Sequence, residues 1–305
     1  MQYFLKHDPE GEMAIFYYSD FSKRCSSGNF GDDINPFLLG RLFSKSIINS
    51  EDVCLVGVGT LLNDHNIELL QGYRQKVVFS TGAGYGNLTT RLDNSWDLVC
   101  VRGPKSAKQL GISSNKAICD GAVLLSEFYR IVPESERDID RIFIPHLKSH
   151  WAGGQAIRKA AEASGFMYLP PDCNADHFID LVSRAKLVVS EAMHGAILAD
   201  TMRVPWFPVS IHEHHRFKWE DWFLSVGMPY YSRTLRPLIW DLPGGSFKAY
   251  LKKPYQKLKT DLLKRQFVGI ADGAVGLMSD SDVLHHKKQS LLEQVAWINE
   301  SYAND

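Results

Sequence analysis

Between residues 12 and 209, short β-rich apolar runs alternate with turns and helical segments, and this alternation limits the possible folds more than any other feature of the chain. In the first half the runs are Met13–Tyr18, Val53–Val58, Lys76–Ser80, Asp97–Val101 and Lys116–Cys119. Strands separated by helices imply a parallel sheet, because parallel neighbours need a crossover long enough to hold a helix. A polar, charged stretch, Ile131–Asp140, interrupts the series. A second series then follows: strand Arg141–Pro145, helix Ala152–Ala163, strand Phe166–Leu169, helix Ala175–Arg184, strand Lys186–Ser190, helix His194–Met202 and strand Pro205–Val209.

The pattern predicts an α/β chain of two Rossmann-like, doubly wound lobes facing a cleft. The first lobe is expected over residues 1–135 and the second over 136–285, with a terminal helix in 286–305. Within that helix, Gln289–Ser301 places Leu292, Val295 and Ile298 on one face, and by analogy with other two-lobed enzymes it crosses back to the first lobe. Open α/β sheets bind ligands beyond the carboxyl ends of their strands, so residues that directly follow a strand are where chemistry is expected.

Charge excludes one class of partner. With 34 basic against 35 acidic side chains, the chain lacks the positive field that nucleic acids require. Its five cysteines, Cys25, Cys54, Cys100, Cys119 and Cys173, form no C-x-x-C pair. Cys54 and Cys100 sit within strand-like runs, which points to buried free thiols in a reducing compartment. The opening MQYFLKHDPEGEM has no basic segment followed by an apolar core, and no apolar stretch reaches the length of a membrane span. A cytoplasmic location is the expectation.

Several loops follow strands. In Ser27-Gly28-Asn29-Phe30-Gly31-Asp32-Asp33-Ile34-Asn35-Pro36, the side chains of Asn29, Asp32, Asp33 and Asn35 are expected at the carboxyl edge of the first sheet, with Asn35 capping a helix that begins near Pro36. Gly57-Val58-Gly59-Thr60 and Gly82-Ala83-Gly84-Tyr85-Gly86 are glycine turns. Neither completes a dinucleotide fingerprint, because Leu62 and Asn87 hold the third glycine positions. Gly84 and Tyr85 are candidates for substrate contact. Arg102, between a strand and a proline-started helix, is placed to offer a planar fork to an anion.

The second series carries Pro145-His146-Leu147-Lys148-Ser149-His150-Trp151, where His146, Lys148 and His150 suit an anionic donor. The run Ser190-Glu191-Ala192-Met193-His194-Gly195 places His194 at a helix N-terminus, where the helix dipole favours a bound anion. His194 there suits a general acid, and Gly195 allows close approach to the backbone. His212-Glu213-His214-His215-Arg216-Phe217-Lys218 lacks the i, i+4 pair and flanking carboxylate of a zinc site, so no metal is expected, and Arg216 is a further candidate phosphate ligand. Residues 248–265 interleave basic and apolar side chains, a pattern that suits peripheral contact with anionic lipid.

Gly28–Pro36, Gly57–Leu62, Gly82–Gly86, Val101–Ala107, Asp120–Leu125 and above all Ser190–Pro205 resemble the polysaccharide pyruvyl transferase family, in the branch that adds ketal pyruvate to bacterial exopolysaccharides. The resemblance covers about the first 210 residues. It implies two lobes similar to the B-type glycosyltransferase fold, with phosphoenolpyruvate as co-substrate and no cofactor. The implied acceptor is a sugar of a bacterial exopolysaccharide or of its lipid-linked repeat unit. By resemblance His194 is the acid; Glu191 and Asp32 are the candidate bases to receive the sugar proton. Many members carry Arg-Leu-His where this chain has Ala192-Met193-His194. The missing positive charge must then come from Arg102, Lys148, His150 or Arg216. A glycosyltransferase using a nucleotide sugar and a catalytically idle scaffold of an assembly complex are the rival expectations.

Overall fold

The computed structural model describes residues 4–5, 15–18, 28–212, 215–240 and 247–302. Cys25, Ser27, Glu213 and His214, together with the side chains of 248–253, lie outside the described residues. In chain order, the first elements are β1 (Phe4–Leu5), β2 (Ile15–Tyr17), α1 (Phe30–Leu42), α2 (Lys45–Ile48), β3 (Val53–Val56), α3 (Asp64–Leu69), β4 (Gln75–Thr81), β5 (Trp96–Val101) and α4 (Pro104–Leu110). Next come β6 (Ile139–Ile144), α5 (Leu147–Glu162), β7 (Met167–Tyr168), α6 (Ala175–Ser183), β8 (Ala185–Ser190), α7 (Met193–Thr201) and β9 (Trp206–Ser210). The chain closes with α8 (Arg216–Ser225), β10 (Arg233–Thr234), α9 (Phe247–Gly273) and α10 (Ser281–Tyr302).

These elements form two compact units. Unit 1 holds residues 1–129, 215–230 and 279–305; unit 2 holds 130–214 and 231–278. A single cut near residue 135 therefore misplaces α8, and α10 begins before residue 286. Both helices pack on unit 1 for visible reasons. α8 buries Trp219, Trp222, Phe223 and the carboxylate of Asp221. From α10, Asn299 accepts from the Ser44 backbone N–H at 2.8 Å and Tyr302 donates to Asp97 at 2.8 Å.

In unit 1 the described strands lie in the order β1-β2-β3-β4-β5, with β1 antiparallel and the rest parallel. Each parallel strand adds to the same edge, so this sheet has no reversal of direction and is not doubly wound. Lys116–Cys119 is not a strand: Ser114–Lys116 forms a 3-10 turn and Ala117 makes a single bridge to Val101.

α1 begins at Phe30 and runs through Pro36, rather than starting there. Proline has no N–H for the carbonyl four residues back, which normally breaks a helix. Here the Asn35 side-chain amide donates to that carbonyl, Asp32 O, at 3.0 Å. The same fully buried side chain bonds both polar backbone groups of Val58, its Nδ2 donating to the carbonyl at 3.1 Å and its Oδ1 accepting from the N–H at 2.7 Å. Asn35 is therefore a clamp between α1 and the end of β3 rather than a helix cap.

Unit 2 is doubly wound. Its strands are all parallel, in the order β10-β9-β8-β6-β7. Numbered within the unit, that is the 2-1-3-4-5 arrangement, whose direction reverses between β6 and β8. The core packs Phe143, Val189, Phe207 and Val209 from the sheet against Ile157 and Ala160 of α5 and Leu263, Phe267 and Ile270 of α9. On the outer side of α9, Tyr255, Leu258 and Leu262 are exposed. Among the described residues, no helix is long and apolar enough to cross a membrane.

Candidate functional site

The reversal between β6 and β8 is where an open α/β sheet leaves a crevice at its carboxyl edge. Glu191, the first residue after β8, occupies that edge with 1% of its surface exposed. One carboxylate oxygen accepts from the Ile211 N–H at 2.7 Å, the His212 N–H at 3.0 Å and the Ser149 hydroxyl at 2.9 Å. The other accepts from the His146 N–H at 3.0 Å. Because His146 follows β6 and Ile211 and His212 follow β9, this side chain ties together the ends of three adjacent strands. Burial pushes the Glu191 carboxyl above its usual range, and the four donated bonds oppose that shift. Three of the four donors converge on one oxygen and one on the other.

Two histidines stand at the starts of the helices that follow β6 and β8. His146 is the N-cap of α5, and its Nδ1 accepts from the Lys148 N–H at 3.2 Å, which leaves Nε2 to carry the proton when the ring is neutral. His194 sits in the first turn of α7, half-buried, with Ala192 as N-cap. Gly195, beside it, does not open the backbone to a ligand. A Cβ there would lie 2.7 Å from Ser190 Oγ and 2.9 Å from the Ile144 side chain, so the glycine serves the packing of α7 on β8 and β6. Lys148 is exposed. His150 faces another way: its Nδ1 lies 2.9 Å from the Tyr168 hydroxyl and its Nε2 3.6 Å from Asp172.

Arg102 and Arg216 belong to unit 1. Arg102 is fully buried, and its guanidinium is already committed. It donates to Asp221 at 3.2 Å, Gly59 O at 3.0 Å, Thr60 Oγ1 at 2.9 Å and Ala83 O at 3.1 Å. The space it fills explains Gly82, where a Cβ would stand 2.2 Å from the guanidinium. Arg216 is exposed and pairs with Glu220, four residues along α8.

Unit 1 holds the candidate acceptor residues in two places, at the start of α1 and after β4. Asn29 donates to the Asp32 carboxylate at 2.6 Å at the start of α1. The neighbouring Asp33 is exposed as a residue, yet its carboxyl rests against the Cα of Gly28. That enclosure and the Asp32 charge raise its pKa to about 6. After β4, the Tyr85 hydroxyl accepts from Lys218 Nζ at 2.7 Å, and the ring of His215 packs edge-on against Tyr85 with centroids 4.4 Å apart. Phe217 covers Gly84, whose φ of +135° favours glycine. His215, Phe217 and Lys218 thus complete a surface that begins at Gly84 and Tyr85.

Sequence reasoning does not single out Ser149 or His212, although both come soon after strand ends. Ser149 is fully buried. Its Oγ lies 2.9 Å from His212 Nδ1. Among the described residues no group of His, Cys, Asp and Glu side chains is arranged to hold a metal ion.

Residues 2–213 match the family model described as polysaccharide pyruvyl transferase. Over 214 residues the chain is 39% identical to the succinoglycan biosynthesis protein ExoV of Rhizobium meliloti (strain 1021). That match covers 68% of this chain and 65% of the relative, so the chain spans just under two thirds of the length of the curated relative. The cluster around Glu191 falls inside the matched region, whereas α8, α9 and α10 lie beyond it. The chain belongs to the polysaccharide pyruvyl transferase family.

Proposed function

We propose that the protein transfers the pyruvyl group of phosphoenolpyruvate to a sugar of a bacterial exopolysaccharide, or of its lipid-linked repeat unit, as a cyclic ketal, with release of phosphate. Family membership supports the pyruvyl group as the cargo, and the name of the relative from Rhizobium meliloti supports an exopolysaccharide as its destination. The observation that carries the reading is the Glu191 hub, which holds His146, Ser149 and His212 at the reversal of a doubly wound parallel sheet, next to the helix that bears His194.

The chemistry asks for an acid, a base and anion-binding donors. His194 protonates the methylene carbon of phosphoenolpyruvate, which makes the central carbon electrophilic. One sugar hydroxyl adds to that carbon, and a second displaces phosphate to close the ring. One hydroxyl proton is balanced by the proton delivered to the methylene, and the other leaves with phosphate. Backbone N–H groups of the first turn of α7, His146 Nε2–H and the exposed Lys148 provide donors for the phosphate and carboxylate. With Arg102 and Arg216 engaged elsewhere in unit 1, Lys148 is the basic side chain assigned to the donor. Asn29, Asp32, Asp33 and Tyr85 are assigned to the acceptor. Two α/β units, the second doubly wound, are in keeping with a B-type glycosyltransferase-like architecture. A cytoplasmic enzyme touching the inner face of the membrane through α9 fits its exposed Tyr255, Leu258 and Leu262 beside Lys257, Lys264 and Arg265.

Thermal denaturation with phosphoenolpyruvate, inorganic phosphate and a panel of nucleotide sugars tests the donor. A ligand at about a hundred times its Kd stabilises the native state by about 2.7 kcal/mol, or about 5–10 °C for a unit of this size. Phosphoenolpyruvate is expected to exceed phosphate. Stabilisation by a nucleotide sugar without any by phosphoenolpyruvate replaces this reading with a glycosyltransferase.

A further inference from the structure

The hydrogen bonds around Glu191 determine where one proton sits. Its Oε1 already accepts two backbone N–H groups, so the hydrogen between this oxygen and Ser149 belongs to the serine hydroxyl. A hydroxyl has one hydrogen. Having given it to Glu191, Ser149 Oγ can only accept from His212 Nδ1, 2.9 Å away. The neutral imidazole is therefore the Nδ1–H tautomer, with its lone pair on Nε2. That nitrogen is buried without a hydrogen-bond partner among the described residues. A buried polar atom left unpaired costs about 1–3 kcal/mol, so it needs a reason to exist. Trp240 packs edge-on against the imidazole, with ring centroids 4.7 Å apart.

We propose that His212 is the base of the reaction, and that Glu191 and Ser149 are positioning residues that fix its tautomer and carry its charge. This rests on the pyruvyl-transfer reading and replaces Glu191 and Asp32 as base. As the sugar O–H bond breaks, its electron pair forms the C–O bond to the central carbon of the donor and its proton passes to His212 Nε2. The resulting imidazolium faces the buried carboxylate through Nδ1–H to Ser149 Oγ and Ser149 O–H to Glu191 Oε1. The proton then leaves Nε2 with the departing phosphate, and the proton of the second hydroxyl, freed as the ring closes, restores the one His194 gave to the methylene, so both histidines return to their starting states. Glu191 itself is buried beneath four donors, and the relay carries its charge outward to His212, a half-buried residue.

Two measurements decide the matter. Heteronuclear NMR of labelled histidine side chains is expected to show His212 protonated at Nδ1, and Ser149→Ala is expected to change that signal. This readout needs no substrate. Finding Nε2 as the protonated nitrogen, or a His212 signal indifferent to Ser149, overturns the relay. In turnover with phosphoenolpyruvate, His212→Ala is expected to lower kcat by roughly 10²–10⁴-fold, with the KM for phosphoenolpyruvate unchanged and partial recovery on adding imidazole. His212 sits half-buried on a loop, so an unchanged melting temperature confirms the folded variant. Full activity of His212→Ala beside an active wild type sinks this inference alone. An inactive wild type sinks the pyruvyl-transfer reading and leaves the NMR result standing.

Discussion

Replacing Asp221 by asparagine tests the assignment of Arg102 to the interior of unit 1. The Arg102–Asp221 pair has no exposed side-chain surface. One Asp221 oxygen accepts from the Lys105 and Ser106 N–H groups at 2.9 and 3.0 Å, capping α4, whose own N-cap is Gly103. The other accepts from Arg102 Nε and from the Ser106 hydroxyl at 2.5 Å. In Asp221→Asn the amide oxygen keeps the cap, and the amide nitrogen then faces Arg102, donor against donor. Removing one member of a buried ion pair costs about 3–5 kcal/mol. Because the cap and the volume survive, we expect the lower end, about 3 kcal/mol, which lowers the melting temperature of a unit this size by about 6–12 °C. Differential scanning calorimetry, with the transition of unit 1 read separately, is the assay. A loss below about 1 kcal/mol, the scale of an exposed pair, refutes the reasoning and returns Arg102 to the candidates for anion binding.

Three further outcomes follow from other contacts. Gly195→Ala puts a methyl 2.7 Å from Ser190 Oγ and 2.9 Å from Ile144, and overpacking of this kind costs about 1–3 kcal/mol, read as a lowered urea midpoint; no change means α7 is not pressed on the sheet as described. Asp33, with its pKa raised from 3.8 to about 6, favours the folded state when protonated, so its contribution is present below 3.8 and is lost as pH rises through about 6. The stability advantage of Asp33→Asn over wild type should therefore grow through that window and level off above it, and a difference constant with pH removes the enclosed carboxyl. Tyr85→Phe deletes the acceptor of the Lys218 bond, and if the pair serves the sugar it raises the KM for acceptor while leaving donor-induced stabilisation intact; an altered phosphoenolpyruvate response contradicts that division of labour.

Much of the parallel α/β character is legible because fully buried strands such as Val53–Val56 and Trp206–Ser210 alternate with helices. The rule that ligands gather beyond strand ends also directs attention to His146, Glu191 and His194. What escapes is what depends on distant partners. Arg102 reads as an anion fork until Asp221, on another helix far along the chain, is seen beside it. Pro36 reads as the first residue of a helix, since nothing local announces that the Asn35 amide will serve the carbonyl that the proline cannot. Glycines at 82 and 195 read as room for a ligand, whereas each makes room for a side chain of the protein itself. α8 is a different failure. Trp219, Trp222, Phe223 and Val226 stand at helical spacing, but the histidine run before them reads as a loop. Ser149 and His212 become visible as a pair only when β6, β8 and β9 lie side by side.

The most direct measurement is incubation of the purified protein with isotopically labelled phosphoenolpyruvate and an exopolysaccharide repeat-unit oligosaccharide, followed by mass spectrometry of the sugar and assay of free phosphate. The account predicts label on the sugar, a mass gain of one pyruvate less one water, and one phosphate released for each transfer. Phosphate release without labelled sugar, or sugar extension from a nucleotide sugar with phosphoenolpyruvate untouched, contradicts it.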